Sequence, residues 1–515
     1  MLLALLFTVA VYAVAGPIEG GDARTFPIRA AATDEHSTDP AARLAWFHDE
    51  AYRARLKYAD HLHLNVDHIK ASRKRAVQVK NWGSSYSVQI DIGTPPQTFD
   101  AFIDTGSSDL WVVGRCQDSK ECGMSKPFVP TDSTSYQGTG RLFNITYLKG
   151  ETLGEWAADV VAIDGVGIRT MFGVADHVTE WGTQQSALMG FAMVNSSLGG
   201  ETPWWQTASE RWTDKRWGMY LARTANWTDA LNNPSVNGGE LTFGGVDQAK
   251  MASDPTYYQV GPTAATDGLR FWTIASQGLA LHGRVVTPLT VSATTDSGTS
   301  LIMGPDTDVR AFYKAIDPNA VAFSDGSYAY ECGPGGNINA SFVFGSPDRP
   351  DLGQPMRFNI WDGDLVWFSG SRDDFASLGM QIPSFLNGDR YCIGNIMGWD
   401  DPTVQGSWLV GSPFLRNVYS IYQTQPVRHG FAPLTPEADI KYGETYDPIQ
   451  SGTGGGAGNS PHSPNVGGGN VTADGQGTAV VPSGAPSGAA VVPNGAGRLG
   501  VSALVVMCAI LIFTL

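Results

Sequence analysis

From Val77 to about Pro433 the chain alternates apolar and polar residues in short runs that break at Gly and Pro, as in "YSVQIDIGTPPQTFDAFIDTGSSDLWVV" at 86–113. A period of two with turn residues between runs predicts half-buried strands joined by hairpins. "NITYLKGETLGEWAADVVAI" (144–163), "GGELTFGGVD" (238–247) and "SWLVGSPFLRNVYSIYQ" (407–423) follow the same rule. A helical period is kept over "DTDVRAFYKAI" at 306–316. The fold class expected is therefore all-β. Two flanking regions differ. Residues 16–75 are charged, helix-compatible and poor in β-branched residues, ending in "HIKASRKR". From about Asp439, "SGTGGGAGNSPHSPNVGGGNVTADGQGTAVVPSGAPSGAA" has almost no charge and few large apolar groups. Such a composition buries too little surface to offset the entropy of folding, so a flexible stalk is expected.

The two chain ends change this picture. "MLLALLFTVAVYAVAG" has an apolar stretch of secretory-signal length before Ala13-Val14-Ala15, a small-x-small cleavage pattern. The last residues, "VSALVVMCAILIFTL" (501–515), are apolar to the end and shorter than the ~20 residues of a spanning helix. Small-residue triplets precede them at Ser487-Gly488-Ala489 and Asn494-Gly495-Ala496, the pattern of a glycosylphosphatidylinositol attachment site at Ser487 or Asn494. The expected organisation is a signal peptide (1–15), a pro-segment (16–75) cleaved between Arg75 and Ala76, a folded region (76–440), a stalk (441–499) and a C-terminal anchor signal (500–515). Five of the nine histidines, His36, His48, His61, His63 and His68, lie in the pro-segment. They gain charge on acidification just as carboxylates lose it, which would weaken its hold on an acidic partner.

Charge and cysteine narrow the classes. Lys+Arg 34 against Asp+Glu 50 gives a net charge of −16, which repels nucleic acid. In an oxidising compartment the five cysteines pair naturally as Cys116–Cys122 and Cys332–Cys392, and anchor attachment would discard Cys508. Their spacing does not match zinc ligation, and neither metal nor other cofactor is expected. Asn144, Asn195, Asn226, Asn339 and Asn470 open Asn-x-Ser/Thr triplets and are glycosylation candidates. His177, His282 and His429 are scattered, with no nucleophile nearby, and read as structural.

The chemistry lies in a repeated loop. "FIDTGSSDLW" at 102–111 and "TTDSGTSLIM" at 294–303 are near-copies whose acids, Asp104 and Asp296, stand 192 positions apart (296 − 104). Two carboxyls held against each other cannot both ionise; they share a proton and supply base and acid together. Gly106 and Gly298 let backbone N–H groups approach the carboxylates, the hydroxyls of Ser107 and Thr299 can orient them, and Thr105 and Ser297 can tie the loops together. A glycosidase also uses two carboxylates, but it accounts for neither the duplicated loop nor the hairpin that follows. A catalytically weak or inactive binding or inhibitor protein would be expected to lack an acid or its supporting hydroxyl, and all are present.

On these motifs the chain resembles the pepsin-like aspartic proteases over roughly residues 76–440. The resemblance implies a bilobal β-fold with pseudo-two-fold symmetry (lobes about 76–245 and 246–440) and a central substrate cleft. "ALMGFA" (187–192) and "WLVGSPFLRNVYSIYQ" (408–423) are similar to the strands that thread beneath each catalytic loop. "ITYLKGETLGEWAADVV" resembles the flap, with Tyr147 as flap tyrosine, Gly150 in its turn and Trp111 as the tryptophan bonded to that tyrosine. Two departures stand out: Leu148-Lys149-Gly150 where the flap usually reads Gly-Thr-Gly, and Gly411-Ser412 where Gly-Asp is usual. The resemblance implies a monomeric endopeptidase active in acid, polypeptide substrates and statine-type inhibitors. Membrane-tethered members occur in fungi, so it extends to a fungal, yapsin-like protease held on the outer face of the plasma membrane or the wall.

Overall fold

The structure is a computed structural model that describes residues 24–30, 86–114, 126–146, 151–178, 186–223, 237–261, 268–288, 290–332, 338–377, 380–399 and 406–441. All of them fall in one compact unit, Met1–Gly454. The alternating runs form strands as their period requires. In Tyr86–Ile92, for example, Val88, Ile90 and Ile92 are buried while Gln89 is exposed. The strands join into sheets of 13, 8 and 4 members, an all-β architecture with a few short helices.

Each half repeats one threading pattern. In the first, Gln97–Asp104 lies parallel to Ala187–Gly190, which runs antiparallel to Leu110–Val113, itself parallel to Val166–Val178. In the second, Ser292–Thr295 lies parallel to Ser407–Val410, which runs antiparallel to Ile302–Pro305, itself parallel to Ile396–Trp399. Glycine is required where the inner strands pass. A Cβ on Gly190 would sit 2.5 Å from the Ser107 carbonyl oxygen, and one on Gly411 would sit 2.1 Å from that of Thr299. This is why both threading strands read apolar-apolar-Gly.

The halves meet through two hairpins, Arg216–Leu221 with Asn237–Phe243 and Val418–Thr424 with Val427–Pro433, which pair antiparallel along 216–221 and 418–424. The lobe boundary drawn near residue 245 from sequence therefore crosses a continuous sheet. That sheet also takes in Arg24–Ala30, which pairs with Asn237–Phe243 on one side and Tyr86–Ile92 on the other. A helix-compatible composition predicted no strand there. Two sheet edges with unpaired N–H and C=O groups outweigh a weak local preference.

In the second half the helix Asp306–Ile316 forms as its period predicts, with Asp306 and Asp308 at the N-terminal end of its dipole and Val309, Phe312 and Tyr313 buried. The Cys332–Cys392 disulfide is formed, with S–S 2.01 Å. Cys116, Cys122 and Cys508 lie outside the described residues. The buried Arg223 guanidinium donates to Asp364 (2.8 Å), Asp439 (2.8 Å) and the side-chain Oδ1 of Asn417 (2.6 Å).

Candidate active site

The acid-bearing loops lie at the ends of the strands Gln97–Asp104 and Ser292–Thr295, where the chain turns sharply through Thr-Gly and Ser-Gly. Both acids are buried, Asp104 at 3% exposure and Asp296 at 0%. An ionised carboxylate at such depth needs hydrogen bonds, and each loop supplies the same set from its own residues. The Gly106 N–H donates to Asp104 Oδ1 (2.9 Å) and the Ser107 hydroxyl to Oδ2 (2.5 Å). The Gly298 N–H donates to Asp296 Oδ1 (2.9 Å) and the Thr299 hydroxyl to Oδ2 (2.6 Å). The donors are the glycines and hydroxyls that stand two and three residues after each acid.

The loops are also bonded to each other, and again in duplicate. The Thr105 N–H donates to Ser297 Oγ (3.0 Å) and the Ser297 N–H to Thr105 Oγ1 (2.9 Å). Each hydroxyl then donates across to the carbonyl that precedes the opposite acid. Ser297 reaches Ile103 O (2.9 Å) and Thr105 reaches Thr295 O (3.3 Å). The threading strands close the loops from behind. The Phe191 N–H donates to Asp104 O (2.7 Å), the Asp296 N–H to Val410 O (3.0 Å) and the Ser412 N–H to Thr299 O (2.8 Å). Ser412, which departs from the usual Gly-Asp, is itself fully buried.

The strands Gln137–Thr146 and Glu151–Ile163 pair up to Thr146↔Glu151, in the stretch whose sequence resembles the flap. Tyr147 and Gly150 lie outside the described residues. Trp111 is fully buried and packs in one cluster with Phe143, Ile145 and Trp156 of those strands. Asp109, inside the first motif, plays another part. It is buried, accepts from the Ser197 hydroxyl (2.6 Å) and the Leu198 N–H (2.8 Å), and burial pushes its carboxyl above the usual range.

Of the sequon asparagines, Asn144 and Asn339 are exposed, while the Asn195 amide nitrogen, also at the surface, donates to Leu269 O (3.1 Å). Asn226 and Asn470 lie outside the described residues, as do Arg75, Ala76, Ser487 and Asn494. His177 and His282 are exposed. His429 is fully buried with both ring nitrogens in contact, Nε2 at 2.9 Å from Thr295 Oγ1 and Nδ1 at 3.0 Å from Ile421 O. Along the sequence His429 has no nucleophile near it and reads as structural. The one available signal was the contrast between Ile103 and Thr295 immediately before the two acids. Among the described residues no group of three His, Cys, Asp or Glu side chains is placed to hold a metal ion, and no helix is long and apolar enough to cross a membrane.

Similarity to known proteins agrees with this geometry. The eukaryotic aspartyl protease family matches residues 85–352. Major aspartyl peptidase 1 of Cryptococcus neoformans var. grubii is 28% identical over 477 residues, covering 86% of this chain and 90% of its own. Cathepsin E of Oryctolagus cuniculus is 28% identical, covering 68% and 81%, and an aspartic protease of Phaffia rhodozyma is 27% identical, covering 78% and 89%. With the duplicated strand threading, the paired loops and more than half of its length matched, the chain belongs to the eukaryotic aspartyl protease family and is a pepsin-like peptidase.

Proposed function

We propose that this peptidase cleaves internal bonds of polypeptides in acid, with Asp104 and Asp296 working as one acid–base pair on a water between them. The observation that carries the reading is the duplicated setting: each carboxylate accepts one glycine N–H and one hydroxyl, and the loops are cross-tied. In the reactive state the pair holds one proton. The ionised member takes a proton from the water as its oxygen attacks the peptide carbonyl, and the protonated member gives its proton to the carbonyl oxygen. The tetrahedral diol collapses as one hydroxyl returns its proton to the ionised member and the amine leaves with the proton that the other member took from the water, which restores the pair. Activity falls toward neutrality, where both acids ionise. The test is peptide hydrolysis across pH 3 to 7 with and without a statine-type transition-state mimic. Hydrolysis that resists the mimic, or that rises toward neutrality, overturns the reading.

The same reading makes residues 16–75 a pro-segment removed after Arg75. Support comes from Arg24–Ala30, which lies upstream of Arg73-Lys74-Arg75 yet occupies a place within the sheet. A mature amino terminus far from Ala76 would remove this part of the proposal. We further propose a signal peptide over 1–15, sugar on some of Asn144, Asn195, Asn226, Asn339 and Asn470, and a lipid anchor attached at Ser487 or Asn494 that holds a fungal cell-surface enzyme. Support for the anchor is the small-residue triplets and the uncharged apolar tail. Treating intact cells with a phosphatidylinositol-specific phospholipase should release the enzyme. Retention on the membrane with Cys508 still in the mature chain argues against the anchor.

A further inference from the structure

The two inter-lobe hairpins end alike, in Phe243-Gly244-Gly245 and Phe431-Ala432-Pro433. Aligning those ends sets Leu241 opposite His429, and it sets their cross-strand partners, Met219 and Tyr422, opposite each other. The residues before the acids complete the comparison. The first half has Ile103, Met219 and Leu241, all buried and apolar; the second has Thr295, Tyr422 and His429, all buried and polar.

The hydrogen bonds of His429 fix its tautomer. The Ile421 carbonyl can only accept, so Nδ1 carries the proton and donates to it. Nε2 of the neutral ring is then an acceptor, and the Thr295 hydroxyl donates to it. The ring cannot turn away, because it stacks on Tyr422 (centroids 4.5 Å apart) and meets Phe431 edge-on at 4.4 Å. Thr295 is thereby held in one rotamer. Its carbonyl receives the Thr105 hydroxyl, and the next residue is Asp296.

Among the described residues no counter-charge faces the ring. The flanking strands bring the phenols of Tyr422 and Tyr258, both pushed up by burial, and Trp272 packs beside it without charge. On its own strand Phe431 is apolar and Arg428 is exposed; Asp296 is one residue beyond Thr295. Burial without a partner charge lowers the imidazole to about 3, so it remains a neutral acceptor through most of the acid range. Such a histidine is a stability cost in acid that a leucine, as at 241, avoids. Packing alone does not account for it.

We propose that His429 is a positioning residue for peptide hydrolysis, a neutral hydrogen-bond acceptor that locks Thr295 and through it the backbone bearing Asp296. The inference rests on Asp104 and Asp296 being the catalytic pair. It is tested with His429→Leu, His429→Gln, Thr295→Val and the His429→Leu/Thr295→Val double variant, with kcat taken per site titrated by a tight statine-type inhibitor. Loss of the brace should lower kcat about tenfold in His429→Leu and in Thr295→Val, leaving KM within about twofold. The double variant should fall no further than either single one. His429→Gln, whose amide oxygen can accept from Thr295, should recover to within about threefold of the unaltered enzyme. The unaltered enzyme should lose kcat as pH drops through about 3, where the ring gains a proton, and that limb should move lower in His429→Gln. Values of kcat within twofold of the unaltered enzyme in every variant, with an unmoved pH profile, overturn the proposal. So does a double variant whose loss is the product of the singles. Should His429→Leu fail to fold, Thr295→Val and His429→Gln decide by the same criteria. An Asp296→Asn control separates the two readings: if it keeps its activity, the catalytic pair itself is wrong.

Discussion

Around Asp104 and around Asp296 the bonds to the carboxylates are the same, with one glycine N–H, one hydroxyl and one cross-tie in each half. One layer further in, the halves part company. The first rests on Ile103, Met219 and Leu241, the second on Thr295, Tyr422 and His429. Apolar packing is indifferent to pH but leaves orientation to shape alone, whereas a hydrogen bond to an imidazole is directional and depends on the ring's charge. The duplication is kept where the two acids must match and is relaxed where each strand needs only to be held.

The largest effect should come from the acids themselves. If the two acids are the catalytic pair proposed above, Asp104→Asn and Asp296→Asn should each lower kcat by about 10³-fold or more, because members of one unit fail together. Thermal unfolding should change little in either. A folded variant with near-normal turnover would break the equivalence of the two halves.

Next comes the pH dependence of stability, where the halves should diverge. His429 titrates near 6.5 when unfolded and about 3 when folded. Between those values the unfolded chain binds a proton that the folded one refuses, so stability falls as pH falls from 6.5 toward 3, by at most about 1.4 kcal/mol per pH unit. His429→Leu should remove that slope. Leu241→Ala should instead cost about 2–5 kcal/mol at every pH, as a cavity does. Denaturant unfolding at several pH values reads both, and an unchanged slope in His429→Leu would mean the folded ring is already charged.

The cross-ties test the symmetry more finely. Ser297→Ala and Thr105→Val each leave a buried N–H without its acceptor and a buried carbonyl without its donor, a loss of about 2–4 kcal/mol. Ser297 should be the costlier, since its bond to Ile103 O is 2.9 Å against 3.3 Å for Thr105 to Thr295 O. Equal losses would show that the polar brace under Thr295 makes up the difference.

The smallest expected effect has the opposite sign in pH. Glu240 lies on the first hairpin, and burial together with the Asp247 carboxyl raises it to about 7, against Lys250 nearby. Folded, it keeps a proton that the unfolded chain releases above 4.5. Its contribution is complete below 4.5 and disappears as pH rises through about 7. Glu240→Gln should therefore flatten stability between those values by about 1–2 kcal/mol. A steeper dependence in the variant would reverse the assignment.

Much of the site was legible along the chain because its bonds are short-range. Gly106 and Ser107 stand two and three residues after Asp104, and Gly298 and Thr299 do the same after Asp296. The alternation of Tyr86–Ile92 and the helical period of 306–316 were readable for the same reason. The strand Arg24–Ala30 was not, because the two edges it joins exist only after the hairpins have folded.

The pair of acids, the ligands of each carboxylate, the β character of the region and the family can all be read along the chain. Each of these depends on residues within one loop or on a local period. Only the tertiary structure decided how the acids are braced. Thr105 and Ser297 meet across 192 residues, Thr295 and His429 across 134. No periodicity links positions so far apart. Folding brings them together because buried hydroxyls, N–H groups and an imidazole must find partners once water is excluded, and the strands beneath the acids are where those partners lie.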